Sequence, residues 1–393
     1  MKKRIFRYLK HTLFTLLGLA LSVICFGLYH GASLHYGDDP LRMDWDKDGP
    51  YVFFENDSIL NINYIKGNKE DGFYLDSSLH RTSEEILAQT YFALDDSSFT
   101  FEIKPTFKTM PVSYDDGNDI LAISDIESGY KTFRDFLIEN KVIDEELKWT
   151  FGKGHLVLVG DFVDRGFSTT QVLWFIYKLE QESKIHGGMV HFIIGNHELK
   201  NMHGNFDSAS PKYNIVASIL GKTQLDLYGK DSFLGRWLST KNTVELINGH
   251  LFTHGGIHPE VAETNVGLDE LNAMIRKNYY RASFPKPNKD IEELLISGRT
   301  GPCWYRGYFK NDLSQEEVQR GLDKFNAKTI VVGHTLQSKV KRLYHGKVIG
   351  IDVKHPKDYY KTWPKSNSEG LLIQGDEYFR VFSDGDRKKF KKL

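Results

Sequence analysis

Hydrophobic positions along this chain fall into three textures. The first is an unbroken apolar run over residues 12–29, carried by Leu13, Phe14, Leu16, Leu17, Leu19, Leu21, Val23, Ile24, Phe26 and Leu28. It follows a basic end, residues 1–11, with Lys2, Lys3, Arg4, Arg7 and Lys10. The run is at the lower edge of the length that crosses a bilayer. Its positive flank belongs on the cytoplasmic side, which puts the rest of the chain beyond the membrane, in a periplasm if the cell is bacterial. Two main readings stand. One is a retained anchor; the other is a signal segment cut near Gly31-Ala32-Ser33, which would release a secreted protein.

The second texture, over residues 30–115, is a linker followed by short β-type runs. Residues 38–50 are rich in Asp, Gly and Pro and read as the linker. Tyr51-Val52-Phe53-Phe54, the run from Ile59 to Ile65 and Phe99-Thr100-Phe101-Glu102-Ile103 read as strands; the second alternates apolar and polar residues at period two. Residues 83–94 are expected to be a short helix with Ser83 as N-cap. A small β-rich accessory unit results.

The third texture, over residues 116–393, alternates strand, loop and helix. Apolar strands are expected at residues 120–123, 155–159, 190–194, 251–253, 329–332 and 348–353. Helices are expected at 131–139 and, amphipathic, at 169–183. Residues 371–382 close the chain as a hairpin turning on Gly375-Asp376. The class is α/β with antiparallel β at its end.

Composition changes this picture little. With 393 residues and a formal net charge of −1, the chain can build one large core and has no global basic field to recruit nucleic acid. Of its two cysteines, Cys25 lies in the apolar run, so the fold must stand without cross-links. The basic tail from Arg387 to Lys392 reads as a solvated end.

Candidate chemistry sits at strand ends, where α/β enzymes place their sites. Five successive strands are followed by Asp125-Ile126-Glu127-Ser128, Gly160-Asp161-Phe162-Val163-Asp164-Arg165-Gly166, Gly195-Asn196-His197-Glu198, His254-Gly255-Gly256 and Gly333-His334-Thr335. Each alone is weak, but five in this order are not.

These motifs resemble the calcineurin-like metallophosphoesterases. Within that family they are most similar to the PPP-type branch and its Shewanella-like relatives, as is Gly301-Pro302-Cys303-Trp304-Tyr305-Arg306-Gly307. The resemblance implies a two-sheet β-sandwich flanked by helices. It also implies two divalent ions (Mn, Fe, Mg or Zn, with Mn favoured) that activate water against a phosphate monoester, of a small molecule or a phosphoprotein. Asp161 would bridge the ions, Asp125 and Glu127 would complete one site, and Asn196, His254 and His334 the other. These are oxygen and nitrogen donors, with no call for thiolate. His197 resembles the family's proton donor and Asp164 its orienting partner. Arg165, Arg306 and, less directly, Arg299 are phosphate-binding candidates. Glu198 reads as structural.

Two departures matter. The family's first motif usually has His where Glu127 stands, which would make that site harder and more negative. Thr335-Leu336 follows His334 where the wider family often has a further His; the PPP-type branch lacks it. Two rival functions stay open: a dinucleoside polyphosphate or phosphodiester hydrolase, and a non-catalytic metal-binding scaffold. The aromatic insert over 203–248 reads either as helical packing or as a cap over the site, and a helix over 265–278 as part of the same wall.

Overall fold

The computed structural model describes residues 2–30, 32–37, 45–282, 284, 286, 290–310 and 312–391. Residues 38–44 of the linker expected at 38–50, and parts of the cleavage and tail segments (Gly31, Lys392), lie outside them. Helix α1 (Lys2–Tyr29) contains no buried residue and is long and apolar enough to cross a membrane. Length and composition fit an anchor and a signal segment alike.

Strand β1 (Leu34–Tyr36) follows at once. Then come β2 (Asp48–Asn56), β3 (Ile59–Asn68) and β4 (Gly72–Arg81) as an antiparallel sheet, and the hairpin of β5 (Ile86–Phe92) and β6 (Ser97–Ile103). Two expectations fail here. Residues 45–50 are no linker: Trp45 is buried and Asp48 opens β2, held by Lys212 at 2.8 Å and by the Tyr51 hydroxyl at 2.6 Å. Nor is 83–94 helical. Ile86, Ala88, Thr90 and Phe92 alternate inward along β5, and pairing with β6 satisfies the backbone that a helix would otherwise satisfy.

The main body contains β7 (Ser113–Tyr114), β8 (Ile120–Ile123), α2 (Tyr130–Glu139), β9 (His155–Val159), α3 (Thr169–Ile185), β10 (Met189–Ile193), α4 (Asn196–Met202) and α5 (Pro211–Ile219). After these come β11 (Val244–Ile247), β12 (His250–Thr253), β13 (Thr329–Val332), β14 (Lys341–Leu343), β15 (Val348–Gly350), β16 (Lys361–Trp363), β17 (Glu369–Gln374), β18 (Glu377–Phe382) and β19 (Arg387–Lys389). One sheet runs β10-β9-β8-β17-β18-β19 and the other β14-β15-β13-β12-β11-β7. Ala122, Val157, Val159, Phe252, Val331 and Ile349 fill the space between them. This is the two-sheet sandwich the motifs implied. Gly375-Asp376 makes the expected turn, while the basic tail pairs on β18 as an edge strand rather than running free.

The β-rich unit is bound into the same outer core. Helix α3 is buried on nearly all sides rather than amphipathic, because the β5–β6 hairpin covers the face it turns from the sheet. Trp174 stacks on Phe101 at 4.7 Å and donates its indole N–H to the Pro50 carbonyl at 2.9 Å. Phe233, in the insert, stacks on Phe54. Tyr228, Phe233 and Trp237 are core residues and do not line the large cavity at the strand ends, so of the two readings of the insert it is the helical packing that the fold bears out.

Candidate active site

Strands β8, β9 and β10 run parallel in one sheet, as do β12, β13 and β15 in the other, and each triple ends at the same edge of the sandwich. Each end delivers a polar side chain: Asp125, Asp161, Asn196, His254, His334 and Asp352. The turns that aim them are tight. Asp125, Asp161, Asp164, Arg165 and His334 all have positive φ, between 56° and 68°. For residues other than glycine this costs about 1 kcal/mol or more each. Glycine is required beside them. A Cβ on Gly160, itself at φ 78°, would sit 2.6 Å from His254 Nδ1, and one on Gly195 would fall on the Asp161 carboxylate.

Asp161, His254 and His334 each offer a ligand atom, all within 4.8 Å of one another. His254 donates Nδ1–H to the Val159 carbonyl at 2.7 Å, which leaves Nε2 3.1 Å from both Asp161 Oδ2 and Asn196 Oδ1. His334 donates Nε2–H to the Trp304 carbonyl at 3.0 Å, and its Nδ1 lies 3.3 Å from the Arg306 guanidinium. Fixing one ring nitrogen so that the other faces the cluster is how metal-binding histidines are held. Asp125 Oδ2 accepts the His334 backbone N–H at 3.1 Å.

The electrostatics of the cluster suit a bound cation. Burial, with Asp161 alongside, pushes Asp125 up; burial with Asp125 and Glu127 does the same to Asp352. Against burial, the imidazoles of His254 and His197 hold Asp161 well below its ordinary value. Against the same burial, Asp161 and Asp125 raise His254 to about 10. Burial and the neighbouring cations His254 and Arg306 drop His334 to about 2. Among the described residues, neither Asp125 nor Asp352 ion-pairs with a lysine or arginine. A divalent cation would relieve the carboxylates and displace the His254 proton.

Beside the triad, His197 Nδ1 is 2.7 Å from Asp164 Oδ2, and Asn201 holds the other oxygen of Asp164 at 2.7 Å. Burial opposes a charge on His197, but the bond from Asp164 and the field of Asp161 raise its pKa. Glu198 accepts the backbone N–H groups of Asp161, Phe162 and Gly195 at 2.8–3.0 Å, the structural role expected of it. Arg165 pairs with Glu127 and approaches His197 Nε2 at 3.2 Å. A cavity of about 440 Å³ is lined by Asp125, Glu127, Asp161, Arg165, His197, Arg306, His334 and Asp352. Asn196 and His254 lie buried at the cluster beneath it. Arg299 is exposed and outside the lining, in the loop beyond Ser297, whose hydroxyl takes its backbone N–H.

A sequence profile described as Calcineurin-like phosphoesterase matches residues 119–338, more than half the chain. The chain is a calcineurin-like phosphoesterase. Metal-dependent hydrolysis of phosphate esters is the activity of this fold and site. This phosphoesterase is similar to the cold-active protein-tyrosine phosphatase of a psychrophilic Shewanella species: 31% identity, a TM-score of 0.75, 88% of this chain and 99% of that one. It is 25% identical over 312 residues to Shewanella-like protein phosphatase 2 of Arabidopsis thaliana, covering 67% of this chain and 76% of that protein. With Shewanella-like protein phosphatase 1 of Plasmodium berghei it shares 28% over 228 residues, covering 56% of this chain and only 61% of that protein.

Sequence reasoning missed three contributors to the site. Asp352 follows the apolar run Val348-Ile349-Gly350-Ile351 as the other cluster residues follow theirs, and that signal was open to reading. Asn201 stands one helical turn after His197. His355 donates to the Ser124 carbonyl at 2.9 Å, beneath the Asp125 turn. Nothing in the sequence marks these last two.

Proposed function

We propose that this phosphoesterase hydrolyses phosphate monoesters with two divalent ions, Mn favoured. One ion would be held by Asp161, Asn196, His254 and His334; the other by Asp161, Asp125 and Asp352, with Glu127 close by. Two buried carboxylates beyond the triad, both raised, support the second ion, and their oxygen-rich character favours Mn, Mg or Fe over Zn. Bound there, the ions supply positive charge for the phosphoryl oxygens and a water acidic enough to attack.

The chain's own groups do the rest. Asp164, fixed by Asn201, holds His197 in one orientation with Nε2 toward the cavity, 3.7 Å from Asp161 Oδ2. His197, whose pKa the bond to Asp164 and the field of Asp161 raise against burial, would donate to the leaving alkoxide or phenoxide. Arg165 and Arg306 line the cavity as guanidinium forks for the phosphoryl oxygens. The Glu127–Arg165 pair must open for Arg165 to take that role. The observation that carries the reading is the His197–Asp164 pair placed one residue from a ligand cluster, since binding a metal alone needs no such pair. The monoester class is supported by the phosphatases named above.

The test is turnover of p-nitrophenyl phosphate against its bis ester by the full chain with added Mn, beside elemental analysis. Two ions per chain and faster monoester turnover are expected. Faster diester turnover would favour the diesterase reading, and no turnover with metal bound would favour a scaffold. We also infer that α1 is retained as an anchor, with the phosphoesterase outside the cytoplasm. Its lack of any buried residue argues against a core helix, and its apolar run over residues 12–29 is longer than the usual apolar core of a signal segment. An intact mass lacking the helix would overturn it.

A further inference from the structure

Helix α1 ends at Tyr29, and His35, which lines the catalytic cavity, is six residues further on. Extended chain of that length reaches at most about 20 Å. The connection is not slack at its far end. Strand β1 pairs with β16 in the register Leu34↔Trp363, His35↔Thr362 and Tyr36↔Lys361. His35 Nδ1 lies 3.2 Å from the Thr362 hydroxyl, and Lys354 donates to Ser33. The rim of the cavity is therefore strapped to the residues that leave the membrane helix.

The segment on which that strap lies has its own character. Residues 354–365 carry Lys354, Lys357, Lys361 and Lys365 together with Tyr359, Tyr360 and Trp363. The single acid among them, Asp358, faces inward and accepts the backbone N–H groups of Lys131 and Thr132 at the start of α2, at 2.8 and 3.0 Å. The exposed charge is thus of one sign. Leu34, Tyr36 and Trp363 are 63%, 55% and 52% exposed. Lysines interleaved with exposed Trp, Tyr and Leu suit the headgroup layer of an anionic bilayer.

We propose that the β1–β16 strand pair and residues 354–365 are a membrane-contact surface, and that the cavity beside them acts on a phosphomonoester carried by a lipid headgroup. This deepens the phosphatase reading and rests on it and on a retained α1. In the reaction, water forms the new bond to phosphorus, the bond from phosphorus to the lipid oxygen breaks, and that oxygen takes the proton. The products are inorganic phosphate and a neutral lipid alcohol.

The test uses the full chain in nanodiscs of phosphatidylcholine with and without phosphatidate. Phosphatidate hydrolysis is expected to exceed that of soluble glycerol 3-phosphate at equal bulk phosphate by at least about tenfold, because the anchor raises the local concentration. Lys361→Glu with Lys365→Glu should lower phosphatidate turnover about tenfold and leave p-nitrophenyl phosphate turnover unchanged. Hydrogen exchange over residues 354–365 should slow when phosphatidate is present, a readout that needs no catalysis. Unchanged exchange overturns the contact surface. Protein that cleaves p-nitrophenyl phosphate but not phosphatidate overturns the lipid substrate, the more so if it cleaves a phosphopeptide anchored to the same discs. Failure on p-nitrophenyl phosphate as well, with exchange still slowed, overturns the phosphatase reading and the lipid substrate with it, but not the contact surface.

Discussion

Two buried carboxylates in this molecule meet opposite surroundings. Glu180, on α3, is matched group for group: Lys241 and the Trp237 indole N–H on one oxygen and Lys184 on the other. Asp161, at the end of β9, shares its pocket with Asp125 and, at the cavity wall, Asp352, and among the described residues its carboxylate meets the imidazoles of His254 and His197 and the His197 backbone N–H, with no lysine or arginine ion-paired to it. The first arrangement closes on itself and joins α3 to the start of β11. The second is short of positive charge. A buried group whose charge is answered within the chain is a brace, and one left under-answered is a place for a ligand. Burial and acidity are common to both, so neither alone separates them.

Substitutions can break or sharpen that contrast. Asp161→Asn is expected to have the largest effect: at least about a thousandfold loss of Mn-dependent turnover, with the thermal midpoint unchanged or raised. A folded, fully active Asp161→Asn enzyme would end the distinction. His197→Ala should reduce kcat by about 10²–10⁴ while bound metal stays constant, with a larger loss on an alkyl phosphate than on p-nitrophenyl phosphate, whose leaving group needs no proton. Equal loss on both esters would remove His197 from the acid role.

Glu180→Ala should instead cost about 3 kcal/mol of stability by stranding Lys241, read by denaturant unfolding, with the folded enzyme's kcat intact. The pH dependence follows. Burial opposes it, yet Lys241 and Lys184 hold Glu180 at about 2 against an ordinary 4.5. Its contribution is therefore in place above pH 4.5 and lost as pH falls toward 2. The same burial lowers Lys241, so desolvation offsets part of the gain. A Glu180→Gln variant should show a shallower loss of stability over that acid window. The smallest effect is expected for Asp352→Asn: about tenfold weaker binding of one metal equivalent, measured by competition with a chelator.

How much of this was legible beforehand differs between the same two regions. The ligand-bearing motifs and their order could be read because each lies on one short turn after an apolar strand, so sequence neighbours are also neighbours in space. Glu180 could not, because its partners Lys241 and Trp237 come from an insert whose packing against α3 no local pattern encodes. Residues 83–94 misled for a related reason. Ser83 with Glu84 and Glu85 imitates a helix start, while β6 and the buried face of α3, both distant in sequence, decide that β5 is a strand. Arg299 shows the limit of composition. An arginine five residues before the Trp304 that holds His334 is still not among the residues lining the cavity.

The left-handed turns at Asp125, Asp161, Asp164, Arg165 and His334 have a consequence for engineering. Glycine is at ease in that conformation where aspartate, arginine and histidine are not. Variants that trade those side chains for glycine would gain thermal resistance at the positions where they surrender chemistry. Selection for heat tolerance alone should therefore erode this catalytic edge first, and a thermostabilised descendant would need activity screening at every round.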